Sequence, residues 1–444
     1  MLDRLQLKIE RKEALLGVCG LGYVGLPVAC AFAEAGFDVL GIETQGQRVI
    51  DVNSANLPIG GQEPGLAELL NTVVTAGKLK ATTDHAQLRD RDIILVCVET
   101  PIDENHQPKF TALYQALEDI GSALKSGSLV IVESTLAPGT LEGTVRPLLE
   151  RAAGKTANHD FFLGVCPERL TSGKLLKNLR TRPRVVGGLT PRTAEVAADL
   201  YRHVVEADLH CTDSVTAEMV KTVENAERDV QIAFANEVAL ICESAGCDVR
   251  TVRTLVNEST DRNMLVPGAG VGGHCIPKDP WLLAFSAGRI PVSLIPAARK
   301  INDAMPFHML ELVKAALANY EKQLRGTRLL IMGFAYRENT DDSRNSPSRT
   351  LVAEIEKQGA EVVVHDPHVA GCVRDLSQLD QQRFDAALFM VRHDRYQLIN
   401  LQSLKQLLIQ PVVIDGRQVF DAEKMAAAGF SYFAIGQPRN KPLD

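Results

Sequence analysis

The stretch that decides the fold runs from Ala14 to Pro27 and reads ALLGVCGLGYVGLP. An apolar run typical of a buried strand leads into a Gly-x-Gly-x-x-Gly pattern, and small residues typical of a helix follow. The first glycine permits a tight turn, the second lets the backbone approach a pyrophosphate, and the third lets the helix pack on the strand. The sequence therefore predicts a βαβ unit that binds a dinucleotide. The residues expected to contact this cofactor are Gly20, Gly22, Tyr23, Val24 and Gly25.

The next apolar run, FDVLGIE, closes on Glu43. A carboxylate at this place accepts hydrogen bonds from the ribose hydroxyls and repels a 2′-phosphate, which favours NAD over NADP. Arg48 follows shortly and could instead accommodate a 2′-phosphate, but we expect Glu43 to dominate. The alternative for the whole segment is a glycine-rich packing motif with a solvated glutamate.

Outward from this segment, apolar runs recur at RDIILVCVET, SGSLVIVEST and FFLGV, separated by helical stretches. This alternation is typical of a mostly parallel, doubly wound sheet. From about Ser214 to Ala318 the strand pattern disappears and long helical patterns replace it, and a second βα alternation begins at TRLLIMGFAY. The predicted fold class is α/β, with two Rossmann-like doubly wound domains joined by a central helical region. The predicted boundaries are residues 1–205, 206–320 and 321–444.

Composition narrows the function classes. A net charge of -7 leaves no basic excess for nucleic acid or anionic membranes. The first dozen residues lack the apolar core of a secretory signal, and no apolar run is long enough to span a membrane, so we expect a cytoplasmic protein. The nine cysteines are scattered, which predicts neither a disulfide framework nor a metal site.

A second informative stretch, Pro267 to Pro280, reads PGAGVGGHCIPKDP and surrounds the thiol of Cys275 with glycines and prolines. Such a loop lets a ligand or another backbone approach the sulfur. A thiolate can add to an aldehyde, hold the adduct for hydride transfer, and leave after attack by water. Asp279, four residues on, could orient that water. The alternative is a small buried thiol with no chemistry.

A polar cluster lies on one predicted helix, where Lys221, Asn225 and Arg228 follow at i, i+4 and i+7. These positions share a helix face. A lysine and an amide presented together can stabilise an alkoxide or oxyanion, which is the largest single aid to carbonyl chemistry. The alternative is an ordinary solvated face.

Taken in order, these segments resemble the UDP-glucose/GDP-mannose dehydrogenase family, and the likeness covers almost the whole chain. The blocks that carry it are GLGYVGLP, Thr100-Pro101, Glu133-Ser134-Thr135 with APGT, PERL around Glu168, AEMVKTVEN, PGAGVGGHCIPKDP and NTDDSRNSP. The family joins an N-terminal Rossmann domain for NAD, a central helical dimerisation region and a C-terminal Rossmann-like domain for the nucleotide of the sugar. The resemblance thus implies NAD, a UDP-sugar substrate and a homodimer or higher homo-oligomer.

The resemblance also implies roles for single residues. Cys275 would be the nucleophile, Lys221 and Asn225 the oxyanion partners, and Asp279 the water-linked base. Glu168 would take part in thioester hydrolysis. Thr100 and Thr135 would contact NAD, with Thr135 also at the reacting centre. The residues implied to contact the substrate are Arg169, Leu170, Lys221, Asn225, Arg228, Gly272, Arg337 and Arg344, of which Arg337 and Arg344 would face the UDP phosphates.

The chain departs from the family pattern at four places. Arg337 stands where lysine is more frequent, which keeps the charge but changes the phosphate geometry. Glu43 stands where aspartate is usual. Glu99 replaces a small residue or proline, and Glu227 occupies a position that is usually aromatic in the related subgroup, where it could alter substrate fit or point to solvent.

The substrate expectation comes from the segment Pro167 to Gly173. Family members that oxidise UDP-glucose show a second glutamate at the position of Ser172, whereas those acting on UDP-N-acetylhexosamines resemble this chain in that segment and around Arg228. The resemblance therefore favours UDP-N-acetyl-D-mannosamine, followed by UDP-N-acetylglucosamine, with UDP-glucose poor. Two further functions compete with this one, a single-step β-hydroxyacid dehydrogenase of the 6-phosphogluconate type and a non-catalytic NAD-sensing or scaffold protein.

Overall fold

The computed structural model describes residues 1–61 and 63–438. The last six residues of the predicted 321–444 domain therefore lie outside the described residues. The chain forms two compact units. One comprises Met1–Glu224 with Lys278–Ile290, and the other comprises Asn225–Pro277 with the chain from Pro291 onward.

The first unit is built on an eight-stranded sheet. Its order is β3-β2-β1-β4-β5-β6-β7-β8, and its pairs are parallel except for β6 with β7. The strands are β1 (Leu15–Cys19), β2 (Asp38–Ile42), β3 (Leu79–Thr82), β4 (Ile93–Val96), β5 (Leu129–Val132), β6 (Phe162–Val165), β7 (Arg184–Gly188) and β8 (Leu209–Asp213). The central strands are buried on both faces, which explains their unbroken apolar runs.

Helices cover both faces of this sheet and enclose two apolar cores, one on each side. They are α1 (Leu2–Glu10), α2 (Gly25–Glu34), α3 (Gly46–Asn53), α4 (Leu66–Thr75), α5 (Thr111–Ala123), α6 (Arg146–Ala153), α7 (Leu175–Thr181) and α8 (Pro191–Tyr201). Short helical turns lie at His85–Asp90 and Leu141–Val145. The predicted doubly wound α/β domain is confirmed.

The segment without strand pattern is helical, as the sequence predicts. It contains α9 (Ser214–Ala245), α10 (Val249–Asn257), α11 (Asp279–Phe285) and α12 (Leu294–Ala318). Helix α9 is uninterrupted over 32 residues. Helix α12 turns apolar side chains such as Met309 and Val313 into the core of the second unit.

The second unit contains a five-stranded, parallel sheet of order β10-β9-β11-β12-β13. The strands are β9 (Arg328–Met332), β10 (Glu361–His365), β11 (Ala386–Phe389), β12 (Val412–Asp415) and β13 (Ser431–Ala434). The helices are α13 (Pro347–Lys357), α14 (Asp394–Gln397), α15 (Leu401–Gln406) and α16 (Ala422–Ala427), with a short turn at Leu376–Leu379. This confirms the second Rossmann-like domain. Within the described residues, no helix combines the length and apolarity needed to cross a membrane.

Candidate active site

The glycine-rich turn joins β1 to α2, where the sequence placed it. Gly20 has φ +89°, and a Cβ there would lie 2.7 Å from the carbonyl oxygen of Cys97. A Cβ on Gly25 would lie 1.8 Å from the oxygen of Gly20. Gly22 differs, because a Cβ there would meet nothing within 4 Å. Packing therefore requires the outer glycines, whereas the middle one leaves open space beside the start of a helix, which fits a cofactor phosphate.

Two flanking residues of this turn have local roles. The Tyr23 hydroxyl donates a 2.8 Å hydrogen bond to the carbonyl of Gly60, and Val24 is the residue before the first turn of α2. Both side chains are half-buried. The turn is thus tied to the loop around Gly60, which precedes α4.

The Glu43 carboxylate organises the same turn. It accepts hydrogen bonds from the Leu21 amide at 3.1 Å and the Gln45 amide at 3.0 Å, and the Arg48 guanidinium lies 3.0 Å away. Burial alone would raise the pKa of Glu43, but these amides and Arg48 offset it, so the pKa is lowered. Glu43 is therefore an ionised acceptor at the end of β2, and Arg48 is held in an ion pair with it.

Threonines tie together the loops that follow β4 and β5. Thr100 Oγ1 donates a 2.7 Å hydrogen bond to the carbonyl of Thr135, and both residues are buried. Ser134 Oγ donates to the carbonyl of Val98 at 2.6 Å. The carboxyl ends of neighbouring parallel strands meet at one edge of the sheet, where ligands bind in doubly wound folds. Thr100 and Thr135 thus lie at the edge expected for the cofactor.

Glu168 and Lys221 are brought together from positions far apart in the sequence. Lys221 Nζ lies 3.1 Å from Glu168 Oε1, and both side chains are more than nine-tenths buried. Glu168 Oε2 also accepts a 2.5 Å bond from the Leu170 amide. Burial raises the pKa of Glu168, but the Lys221 charge and the Leu170 amide outweigh it and lower the pKa. The site therefore contains a buried carboxylate paired with a buried ammonium.

Arg169, which follows Glu168, forms hydrogen bonds to other residues of the protein. Its guanidinium donates to the Pro183 carbonyl at 2.7 Å and to the Glu224 carboxylate at 2.5 Å. Glu224 lies on α9, so Arg169 links the loop after β6 to that helix. Its predicted contact with substrate stays a prediction.

Sequence reasoning missed Glu63, a buried glutamate outside every predicted motif. Its carboxylate accepts hydrogen bonds from the amides of Gly173 at 2.6 Å and Leu175 at 3.2 Å. The Gly173 amide belongs to the loop that begins at Glu168, and the Leu175 amide begins helix α7, which follows that loop. Glu63 therefore holds that loop from a position 110 residues away, and nothing in a single sequence indicates the pairing.

A second missed group lies beneath the same loop. Glu133 accepts a 2.7 Å bond from the Tyr201 hydroxyl and pairs with Arg184 at 3.3 Å. All three residues are buried. The Glu168 amide donates to the backbone oxygen of Glu133 at 3.2 Å, so this buried ion pair supports Glu168. The sequence offered one hint, because Glu133 belongs to a block that carries the family likeness.

Asp279 begins α11 and is fully buried. Lys278 Nζ lies 2.5 Å from its Oδ1, so the carboxylate faces a buried ammonium that the sequence analysis did not single out. In the next turn Trp281 stacks on His106, with ring centroids 4.0 Å apart and planes 4° from parallel. His106 has φ +61° and belongs to the loop after Thr100.

Helix α9 carries Lys221, Asn225 and Arg228 at the predicted spacing. Asn225 is half-buried and Arg228 is exposed. Glu227, the unusual residue on this helix, is exposed and accepts a hydrogen bond from Gln231 one turn later. The Glu227 side chain is therefore exposed to solvent in the single chain.

In the second unit the glycine-rich loop of residues 267–277, called the thiol loop below, carries a half-buried Cys275. A Cβ on Gly272 would lie 2.6 Å from the oxygen of Asn345 and 2.6 Å from Tyr336 Cβ. The glycines of this loop could permit the close approach of a ligand or of another backbone. At Gly272 it is a neighbouring backbone that lies close. The residue remains a predicted substrate contact.

The predicted phosphate-binding arginines lie on the loop after β9. Arg344 is exposed and pairs with Asp342 through Nε at 2.9 Å and Nη2 at 2.6 Å. Arg337 is half-buried, and its Nε lies 3.6 Å from Glu338. Both guanidiniums thus belong to one loop at the carboxyl edge of the second sheet.

Asp366 follows β10 and repeats in the second unit the arrangement seen at Glu43. Its Oδ2 accepts hydrogen bonds from the amides of Phe334 at 2.7 Å and Ala335 at 2.9 Å, and lies 3.2 Å from His393 Nε2. Burial raises its pKa, but His393 and the amides outweigh this and hold the pKa far below its usual range. The Asn339 amide donates to Nδ1 of His393 at 2.9 Å, so this nitrogen carries no proton. The ring therefore donates to Asp366 through Nε2–H.

Three family models match the chain in order. They are the NAD binding domain over residues 14–205, the central domain over residues 215–304 and the UDP binding domain over residues 330–422 of the UDP-glucose/GDP-mannose dehydrogenase family. The chain belongs to this family. As a member, it is an NAD-dependent nucleotide-sugar dehydrogenase, which confirms the predicted enzyme class and cofactor.

Individual members of the dehydrogenase family resemble the chain over nearly its full length. A Pyrococcus horikoshii protein named UDP-N-acetyl-D-mannosamine dehydrogenase is 36% identical, covering 95% of this chain and 99% of its own. The solved structure of that enzyme superposes with a TM-score of 0.89 at 35% identity and the same coverage. The structure of an NDP-N-acetyl-D-galactosaminuronic acid dehydrogenase from Methanosarcina mazei Go1 is 36% identical with a TM-score of 0.84, covering 98% of each chain.

Proposed function

We propose that this dehydrogenase oxidises the C6 hydroxymethyl group of UDP-N-acetyl-D-mannosamine to the carboxylate. The balanced reaction consumes two NAD⁺ and one water and yields two NADH and three protons. Bound NAD accepts one hydride in each of two oxidations. The observation that carries the proposal is the full-length similarity to enzymes of that name, at 36% identity for the Pyrococcus horikoshii relative.

The residues of this chain supply the covalent chemistry. In the first oxidation the alcohol becomes an aldehyde, and Lys221 and Asn225 stabilise negative charge on its oxygen. The Cys275 thiolate then adds to C6 and forms a thiohemiacetal, which the second oxidation converts to a thioester. Water attacks the thioester, the C–S bond breaks, and the thiolate and the carboxylate are released.

Two carboxylates of the first unit are the proposed groups for the hydrolytic step. Glu168 is kept ionised by Lys221, which suits a group that accepts a proton from attacking water. Asp279, paired with Lys278, is the second candidate to orient that water. Thr135 at the sheet edge completes the proposed catalytic residues.

The proposed cofactor contacts follow the geometry of the first Rossmann domain. Gly22 and the start of α2 would hold the pyrophosphate of the cofactor, and Glu43 would hold its adenosine ribose. Thr100 and Thr135 line the neighbouring strand ends. Because Arg48 is paired with Glu43, we propose that the enzyme prefers NAD to NADP.

The nucleotide of the substrate is assigned to the second Rossmann-like domain, with Arg337 and Arg344 facing its phosphates. The sugar is assigned to Leu170 and Arg169 of the loop after β6, to Gly272, and to polar side chains of α9, which include Arg228. The loop after Glu168 carries Ser172 where UDP-glucose oxidisers carry a second glutamate. An acetamido group at C2 needs both space and a hydrogen-bond partner, and a site built for it leaves polar groups unpaired when glucose binds.

A second candidate substrate is the nucleotide-linked N-acetylgalactosamine. It is favoured by the 36% identity to the Methanosarcina mazei enzyme and by 34% identity to a Ralstonia solanacearum enzyme with the same name. We also propose that the enzyme is a homodimer. Large apolar side chains are exposed on helices of the second unit, including Phe234 and Ile241 on α9 and Phe307 on α12.

The test is an assay of four substrates, each with NAD and with NADP. The substrates are UDP-N-acetylmannosamine, UDP-N-acetylgalactosamine, UDP-N-acetylglucosamine and UDP-glucose. We expect two NADH for each UDP-N-acetyl-D-mannosamine and the highest kcat/KM for that sugar. One NADH with release of free aldehyde would overturn the covalent mechanism. A higher kcat/KM for UDP-glucose than for the acetamido sugars would overturn the substrate assignment and leave the chemistry standing.

A further inference from the structure

The thiol loop is hydrogen-bonded to the loop that carries the proposed phosphate ligands. The Gly273 amide donates to the backbone oxygen of Arg344 at 2.9 Å, and the Asn345 side-chain amide donates to the backbone oxygen of Gly273 at 3.0 Å. Gly273 stands two residues before Cys275. The backbone amide and the backbone oxygen of Gly273 are therefore both hydrogen-bonded, the amide to Arg344 and the oxygen to Asn345.

Close packing makes this connection stiff. A Cβ on Gly272 would lie 2.9 Å from Pro347 Cδ, and one on Gly273 would lie 2.8 Å from Tyr336 Cε2. The two loops fit together with no room for a side chain, so a shift of one displaces the other.

The Arg344 turn is itself well defined. The Arg344 guanidinium and its backbone amide both bond to the Asp342 carboxylate, and the backbone oxygen of Asp342 accepts the Tyr336 amide at 2.9 Å. Asn345 has φ +48°, a left-handed conformation that asparagine tolerates better than most residues. The turn thus carries both the guanidinium and the contacts to Gly273.

The far end of the thiol loop is anchored separately. The Gly268 amide donates to Asn236 Oδ1 at 2.8 Å, and Arg417 Nη2 donates to the Gly270 oxygen at 2.7 Å. Asn236 is buried and Arg417 is half-buried, and neither belongs to the phosphate-binding loop. Of these side-chain anchors, the one at Asn345 lies nearest to Cys275 in the sequence.

We propose that Asn345 is a positioning residue that couples the binding of a nucleoside diphosphate to the orientation of the Cys275 thiol. The inference rests on the proposed function, since it takes Cys275 as nucleophile and Arg344 as phosphate ligand. A diphosphate on the Arg344 guanidinium restrains the Asp342–Asn345 turn, and the two Gly273 hydrogen bonds transmit that restraint to the thiol loop. The nucleotide then sets the geometry of the nucleophile although it does not react.

The test measures the rate at which iodoacetamide alkylates Cys275 in the full-length enzyme, with and without saturating UDP, by mass spectrometry of the Cys275 peptide. UDP lacks the hexosamine of the substrate, so it probes the nucleotide site alone. UDP should slow alkylation of the wild-type thiol about fivefold, the change expected when one hydrogen bond restrains the loop. The Asn345→Gly variant accepts the left-handed backbone without strain and removes only the side-chain bond. It should still bind UDP and lose most of the protection, because the remaining Gly273–Arg344 backbone bond transmits less of the restraint.

Asn339→Gly is the matched control, because Asn339 also has positive φ and lies in the same loop, but its side chain accepts the Asp394 amide. This control should retain the UDP effect. Equal protection in wild type and Asn345→Gly would show direct shielding by UDP and overturn the proposal, as would UDP binding to wild type with no change in alkylation. Failure of wild-type enzyme to bind UDP would instead overturn the nucleotide site of the proposed function, and the coupling with it.

Discussion

Lys221 and Glu168 form a buried ion pair, with Nζ 3.1 Å from Oε1. The pair joins the loop after β6 to helix α9, and it gives each group the charge that its proposed role needs. A buried ammonium can stabilise negative charge on a substrate oxygen, and a buried carboxylate can accept a proton from water. The charge of Lys221 helps to keep the Glu168 carboxylate ionised within the interior.

Replacing Lys221 with Met should therefore have two effects. Loss of the oxyanion partner should lower kcat by about 10²–10³-fold with little change in KM. The pKa of Glu168, which Lys221 lowers against burial, should rise, so the acidic limb of the kcat–pH profile should move to higher pH. Steady-state kinetics across the pH range measures both. A change confined to KM would make Lys221 a binding residue.

The same pair contributes to stability, and the sign follows from the lowered pKa of Glu168. The contribution is present above the unfolded-state pKa of a glutamate and is lost as pH falls through the folded-state value. At neutral pH, Lys221→Met should lower the free energy of unfolding by about 3–5 kcal/mol, because it leaves an unpaired buried carboxylate. The double variant Lys221→Met, Glu168→Gln should recover part of this loss in denaturant titrations.

Cys275→Ala should abolish formation of the acid while leaving the affinity for NAD near normal, since the thiol lies outside the glycine-rich turn. Product analysis by mass spectrometry and NAD titration measure the two properties. Cys247→Ala, which removes an exposed thiol of the same unit, is the control and should keep full activity. Undiminished acid formation by Cys275→Ala would remove this residue from the mechanism.

Glu43→Ala should reverse part of the cofactor preference. The substitution removes the proposed ribose acceptor and releases Arg48 from its 3.0 Å ion pair, so the arginine becomes available for a 2′-phosphate. The ratio of kcat/KM for NAD to that for NADP should fall by about tenfold or more, a change of about 1.4 kcal/mol. The double variant Glu43→Ala, Arg48→Ala should lose the gain with NADP. An unchanged ratio in the single variant would contradict the role of Glu43.

Glu63→Gln should weaken the loop that follows Glu168. An amide cannot accept the Gly173 and Leu175 hydrogen bonds with both of its terminal atoms, so the unfolding free energy should fall by about 1–3 kcal/mol and kcat should fall with it. Denaturant titration and kinetics measure the two losses. Glu68→Gln, an exposed glutamate on neighbouring α4, should change neither.

For Glu218 we expect a contribution to stability whose pH dependence is opposite in sign to that of Glu168. This residue on α9 accepts the amides of Gly139 and Leu141, but burial dominates and raises its pKa to about 7. The folded state then holds a proton that the unfolded state loses, so stability should decline as pH rises from about 4.5 to about 7. In Glu218→Gln this part of the slope in thermal melts should disappear. An identical slope in both proteins would contradict the raised pKa.

Local patterns in the sequence predicted the parts of the fold that are local in cause. The turn from Gly20 to Gly25 depends on neighbouring backbone atoms, and the apolar runs of β1, β4 and β5 reflect burial on both faces. The strands β3, β7, β8 and β13 were missed, and in β3 and β8 exposed or half-exposed residues break the apolar run. Strands are clearest from sequence where the sheet is completely buried.

The candidate site divides in the same way. Cys275, Lys221 and Glu168 lie in stretches whose residue types or family likeness indicate chemistry. The residues that hold the loops in place are not indicated by the sequence in this way. Glu63 and Asp366 act through hydrogen bonds to residues distant in the sequence. Such pairings depend on which loops the sheet brings to one edge, and a single sequence does not record them.

The stacking of Trp281 on His106 has an optical consequence, because Trp281 is the only tryptophan of the chain. The indole fluorescence of the whole protein originates two residues beyond Asp279, against the imidazole of His106. Emission intensity and wavelength therefore report on one spot instead of an average over many. The enzyme carries its own fluorophore where the helix of Asp279 meets the loop of Thr100.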